Sequence, residues 1–303
     1  MSLLNRPSDG IHSVLTVIFK LLLSEGRIER DRLVRMCAPR GSINDEKTRQ
    51  TLNRWLELGL FQETADGTIT LHPDVRKDER DIQKLPKLAR RIVLAEQNNT
   101  DFWASEEAKA ADFTRSLCWL LAQDCWSIDF AGWDQAQALI QRQLPSNAVL
   151  IQNDTRWSGL KAWVPFLGFG WSAKYPTGTL VADPTEAIRD TLPSVFGNRR
   201  TLRAADCIAS LVDSLPVLDG GTYRKAVEEK LRERSGPDAW RPPLKDQLST
   251  SFSRALLRLN EEGILTWSLR ADSGEHERVY LTGRSDSSLV KDGISEFTWS
   301  PNP

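Results

Sequence analysis

The sequence predicts a mainly α protein with small β elements, built as two similar segments around a helical middle. Three observations carry this reading. The order helix, glycine, apolar pair, strand, turn, strand occurs at Asn44 to His72 and returns at residues 249–282. Seven of the eleven tryptophans, Trp103, Trp119, Trp126, Trp133, Trp157, Trp163 and Trp171, lie between the two copies. No apolar run approaches the length of a membrane span.

In the first copy Asn44 is a good N-cap, followed by Asp45 and Glu46 where carboxylates suit the positive end of a helix dipole. Leu52, Trp55, Leu56 and Gly59 fall at three- and four-residue steps, which gives one apolar face closed by a glycine. Phe61 to Thr64 and Thr68 to His72 read as strands joined at Ala65-Asp66-Gly67, a hairpin turn whose glycine permits positive φ. Upstream, Ser13 to Ser24 carries Val14, Val17, Ile18, Leu21 and Leu22 on one stripe. Asp31 to Cys37 is a short second helix, and Gly26-Arg27-Ile28 fits a short strand between them. This order resembles winged-helix domains over roughly residues 11–75.

The middle begins with the charged, then amphipathic RKDERDIQKLPKLARRIVL, in which Pro86 marks a helix start or kink. Helices are predicted over Asp112 to Ile128, Trp133 to Leu144, Thr155 to Leu167 behind a cap at Asp154, and Pro184 to Val195. GFGWSAKYPTGTLVADP is a loop or short hairpin. The tryptophans at helical spacing read as an aromatic-filled helical core, the alternative being an aromatic binding groove.

The second copy starts at Thr201 with an amphipathic helix to Leu215, a break at Asp219-Gly220-Gly221 and a helix from Thr222 to Arg234. SGPDAWRPPLKD lengthens the turn before a third helix from Ser249 to Glu262, after which ILTWSLR and EHERVYLT read as a second hairpin about Asp272-Ser273-Gly274. The tail from Arg284 to Pro303 is rich in Ser, Asp, Gly and Pro yet holds Leu289, Ile294, Phe297 and Trp299. Such a segment docks in extended form, either on a partner with Phe297 and Trp299 as anchors or back onto the second copy. Its strand-forming residues from Ile294 to Trp299 favour the latter.

The expected fold is therefore mainly α with small β wings: two winged-helix domains flanking a Trp-rich helical domain. The expected boundaries are 1–75, 76–200, 201–284 and a tail at 285–303. At 303 residues, with 40% hydrophobic and 27% charged residues, the chain suits two or three ordinary globular domains. The start MSLLNRPSDG lacks signal-peptide architecture, so a cytoplasmic location and no membrane partner are expected. Cys37, Cys118, Cys125 and Cys207 form no CxxC pair and read as reduced core thiols.

Chemistry is sparse. His12, His72 and His276 have no Cys, Asp or His at a ligand-like helical spacing, and GFG lacks the rest of a phosphate loop, so neither a metal nor a cofactor is expected. Asp183 reads as a helix cap, with Pro184 at N1 and Glu186 at N3. The alternative is a catalytic acid at a strand end. An enzyme is disfavoured.

With 40 basic and 41 acidic residues no global field draws the chain to phosphate, so local charge must supply any affinity for DNA. Lys47, Arg49, Gln50, Asn53 and Arg54 on the third helix of the first copy are types that reach phosphates and base edges, with Arg32 among the arginines beside them. Arg254 and Arg258 are the thinner set of the second copy, where protein contact is favoured. Both turn tips carry acids where a phosphate-gripping wing would carry Lys or Arg.

The opening LLNRPSDGIHSVL, the size and the LVADPTEAI stretch resemble the DpdG family of bacterial Dpd systems, which insert 7-deazaguanine derivatives into DNA and restrict unmodified DNA. The resemblance implies a non-catalytic member of a multi-protein anti-phage island with helicase- and nuclease-like partners, and it carries over no catalytic residue. A second resemblance, architectural only, is to tandem winged-helix subunits of chromosome-organising ATPase complexes. The functional expectation is a non-catalytic DNA-binding and assembly subunit of a DNA-modification or defence system, with duplex DNA and other proteins as partners. The alternatives are a transcription regulator and a protein-binding scaffold.

Overall fold

Residue burial explains the first helices directly. Leu15, Ile18, Phe19 and Leu22 line one stripe of α1 (His12–Glu25), which ends where Gly26 turns the chain at φ 72° into β1 (Arg27–Glu29). The Glu29 side chain accepts from the backbone N–H groups of Asp31 and Arg32 and so caps α2 (Arg30–Cys37). Next come α3 (Glu46–Leu58), closed by Gly59 in the left-handed region, and the hairpin β2 (Phe61–Glu63) and β3 (Thr68–Leu71), with Gly67 at φ 77° in the turn. The computed structural model describes residues 2–4, 12–38, 45–103, 109–128, 130–173, 178–237, 239–283 and 293–301. The cap expected at Asn44 lies outside them, as does Leu289 of the tail.

In chain order there follow α4 (Leu85–Val93), α5 (Ala111–Ala122), α6 (Trp133–Gln143), α7 (Asp154–Phe166), β4 (Gly170–Ala173), β5 (Thr179–Ala182) and α8 (Thr185–Phe196). The last third holds β6 (Thr201–Arg203), α9 (Ala204–Ser214), α10 (Thr222–Arg232), β7 (Gln247–Leu248), α11 (Thr250–Glu261), β8 (Leu265–Ser268), β9 (Tyr280–Leu281) and β10 (Glu296–Trp299). About 52% of the described residues are helical and the sheets are small, as expected of a mainly α protein.

The chain divides into two compact units, residues 1–114 with 149–167, and residues 115–148 with 168–303. The segment 76–200 is shared between them. In the first unit α1 packs on α2, α3 and α7, and Trp55 of α3 meets Trp163 of α7 at 5.7 Å between ring centroids. The Asn98 amide donates to the carbonyls of Leu58 and Ile92 at 2.9 and 2.8 Å, which ties the end of α3 to α4. Its sheet is antiparallel in the order β1-β3-β2.

The second unit carries a sheet of the same kind in the order β6-β10-β8, again with the last strand in the middle. The succession helix, short strand, helix is repeated too, α1-β1-α2 in one unit and α8-β6-α9 in the other, and each first strand has only its central residue buried. Trp119 is fully buried here and donates to Gln143, whose amide donates to Gln123, whose amide donates back to the Trp119 carbonyl, each at 2.9 Å.

Several sequence expectations are corrected. Thr201 to Leu215 is a strand followed by a helix, because Leu202 is buried opposite Phe297 while its neighbours face out. The second hairpin is absent: β9 pairs parallel with β7, and β10 takes the edge of β8. EFTW brings Phe297 into the core beside β8, whereas of EHERVYLT only Tyr280-Leu281 is strand and its buried Leu281 faces β7. The helix expected to reach Ile128 stops at Ala122, where the Asp124 carboxylate accepts from Trp126 N–H and Ser127 Oγ and turns the chain. Asn153, not Asp154, caps α7. The tail is no correction, since its described end folds back on its own chain, the course its strand-forming residues favour: Phe297 is 0% exposed, and Trp299 pairs with Leu265 and lies 5.7 Å from Phe196.

Candidate nucleic-acid interface

The residues picked for DNA contact in the first unit lie on α2 and α3, while Arg76, Lys77, Arg80, Lys84, Lys87 and Arg91 expose further positive charge after the hairpin. Arg32 and Lys47 are exposed. Arg49 stands between two carboxylates, 3.1 Å from Asp31 and 3.0 Å from Asp45, and their hydrogen bonds, Asp45 foremost, raise its pKa. Asn53 accepts from Arg30, which also pairs with Glu63 of β2, so this arginine spans from α3 to the hairpin. Gln50 is buried and donates to Glu46 one turn earlier. Arg54 is 1% exposed, one of the largest buried side chains of the molecule. Of the six residues picked from the sequence, the fold thus leaves Arg32 and Lys47 fully at the surface, ties Arg49 and Asn53 into local pairs and takes Gln50 and Arg54 inside. Residues 47, 50 and 54 share one helical stripe, and that stripe turns inward along its length.

The corresponding helix of the second unit is differently placed. Ser249 caps α11, and the hydroxyls of its first turn are occupied by the end of α5: Ser251 donates to the Leu121 carbonyl at 2.7 Å and Thr250 to that of Gln123 at 3.3 Å. Trp240 adds a donor to the Ala122 carbonyl at 2.8 Å. The terminal carbonyls of α5, which have no partner within their own helix, are satisfied by this contact. Its cost is access, because the start of α11 is covered by the protein itself.

One turn further along α11, Arg254 and Arg258 line a groove. The Arg254 guanidinium lies 4.5 Å above the Trp126 ring centre and donates to the Cys125 carbonyl at 3.3 Å. Arg258 pairs with Asp183, which has no capping box: its carboxylate accepts from Thr185 N–H at 3.1 Å, Thr185 Oγ1, Trp171 Nε1 at 3.3 Å and Arg258. Four donors therefore surround one buried carboxylate. Trp171, which the sequence grouped with the core tryptophans, is 41% exposed; Trp119, Trp157 and Trp163 are buried as expected. A tryptophan three residues past the bend at Gly168, on a two-stranded edge, was the available signal for an outward ring.

No group of three or more His, Cys, Asp or Glu suited to a metal occurs among the described residues. The four cysteines are free, and burial pushes the thiols of Cys37 and Cys207 up to about 11 and about 12. No described helix is long and apolar enough to cross a membrane.

Among protein families, the model described as DpdG-like matches residues 1–273. No curated protein and no solved structure matches the chain.

Proposed function

The chain belongs to the DpdG-like family, and from that premise we propose a non-catalytic DNA-binding and assembly subunit of a Dpd system. Residues 1–75 act as a winged helix, with α3 presented to duplex DNA and Arg32 and Lys47 as its phosphate contacts. The carrying observation is the element order α1-β1-α2-α3-β2-β3 with its β1-β3-β2 sheet, joined to the exposure of those two cations on α2 and α3. A second winged helix runs from α8 to β10, wider than the sequence boundaries of 201 and 284, with α10 as an insertion. The covered start of its α11 fits it for holding the chain's own Trp-rich middle rather than a major groove.

The pairing of Arg30 and Arg49 with Glu63, Asp31 and Asp45 favours one second reading, a protein-binding scaffold. Binding of the purified protein to a labelled duplex at low salt, with assays for nucleotide hydrolysis and strand nicking, separates the readings. The proposal expects binding without either activity; a scaffold gives no binding.

A further inference from the structure

Two clefts of the second unit, of about 280 and 530 Å3, meet at Trp171 and Arg254. The exposed indole of Trp171 and the Arg254 guanidinium line both clefts, and the larger adds the Arg258 guanidinium and the buried Asp183 carboxylate. Asp183 is 1% exposed in its side chain and already holds four donors, so its part is to fix its neighbours: it anchors Trp171 through Nε1 and Arg258 through an ion pair. Trp171 is thereby held outward, although hiding an indole from water is favourable. The other lining carboxylate, Glu186, is paired with Arg189 at 3.2 Å. Arg254 is stacked on Trp126, and among the described residues no carboxylate pairs with it. The indole N–H of Trp126, in the wall of the smaller cleft, is buried without a hydrogen-bond acceptor.

From this arrangement we propose a binding site for unstacked nucleotides of single-stranded DNA, with a base on the Trp171 ring and the phosphate beside it at Arg254 and Arg258. A flat aromatic face takes a base only when that base has left its stack, since duplex DNA shows bases edge-on in its grooves. Guanidinium groups next to the ring supply the charge-assisted bonds a phosphodiester needs. The space is of the size that encloses a small planar ligand. This site is separate from the duplex contact assigned to Arg32 and Lys47, and either can fail without the other.

The test is fluorescence anisotropy of a labelled oligothymidylate of about 12 nucleotides at low salt, a length within the usual site sizes of single-strand binders. Wild type, Trp171→Ala, Trp171→Phe and Arg254→Ala are compared as full chains, each checked by thermal melting. Trp171→Ala is expected to weaken binding about tenfold, while Trp171→Phe, which keeps a ring but not the bond to Asp183, stays within about threefold of wild type. Arg254→Ala lowers the salt slope by about one ion, and Trp171→Ala leaves affinity for a blunt duplex unchanged. The proposal is overturned if wild type does not bind the oligonucleotide or if Trp171→Ala and Arg254→Ala bind it like wild type. Competition by thymidine monophosphate as effective as by the oligonucleotide would assign the site to free nucleotides instead, and equal competition by polyglutamate would reduce it to unspecific charge; both refute the single-strand assignment.

Discussion

The Asp183 carboxylate is ion-paired with the Arg258 guanidinium across 75 residues of sequence, the acid 1% and the base 42% exposed in their side chains. The asymmetry sets what each substitution does. Asp183→Ala strips two donors of Thr185, that of Trp171 and the partner of Arg258, and is expected to destabilise the protein by about 1–3 kcal/mol in denaturant melts. Arg258→Ala also removes a partner, but solvent reaches the gap, and its melt should shift less. Equal shifts would contradict this account of the pair. Metal-dependent DNA cleavage lost on Asp183→Asn would mean that the carboxylate is catalytic and not a positioning group.

Truncation after Gly283 removes β10, the middle strand of its sheet, together with Phe297 between Leu202 and Trp267. The shortened chain should melt at lower temperature or fail to fold. Phe297→Ala alone is expected to cost about 3–5 kcal/mol, the usual range for emptying a packed aromatic site. Unchanged melting of both variants would show that the strand contributes nothing to the isolated protein.

How far the sequence carries is visible in these two regions. α3, its glycine stop and its hairpin are local devices, an apolar stripe, Gly59 and Gly67, and each is where the spacing puts it. β6 and β10 are not local: three and four residues find their register 93 or more positions away, and only burial of Leu202 and Phe297 selects the pairing. The same holds for charge. Arg54 reads as a surface cation because Lys47 and Gln50 share its stripe, yet packing buries it, while Trp171 reads as core and is left out by a bond from its ring to Asp183. Side-chain exposure is decided by partners outside the element that carries the residue, which spacing does not record.

Arg54 should accordingly report on stability. Arg54→Ala is expected to lower stability by about 1–3 kcal/mol, the usual size for a disturbed interior polar group. At temperatures where the variant is folded, its affinity for duplex DNA should equal that of wild type. Lost DNA affinity with an unchanged melt would put Arg54 back at the interface.

Glu79 gives the first unit a pH dependence. Burial raises its pKa, but hydrogen bonds from Arg76 and then Arg91 outweigh that, and the net shift is downward from 4.5. A depressed carboxylate contributes stability above its unfolded pKa and loses it as pH falls through the folded one. The stability difference between wild type and Glu79→Gln should therefore be steady near neutral pH and shrink below about pH 4.5. A difference that grows on acidification would have the sign wrong.

The most direct measurement of the central claim is the salt dependence of duplex DNA binding by wild type, by Arg32→Glu with Lys47→Glu, and by Arg254→Ala with Arg258→Ala. If the N-terminal unit carries the contact, wild-type affinity falls linearly with salt on logarithmic axes, and the first pair of changes lowers the slope by about two ions. The second pair leaves both slope and affinity for the duplex near wild type. Equal losses from the two pairs, or no binding by wild type at low salt, would contradict the claim.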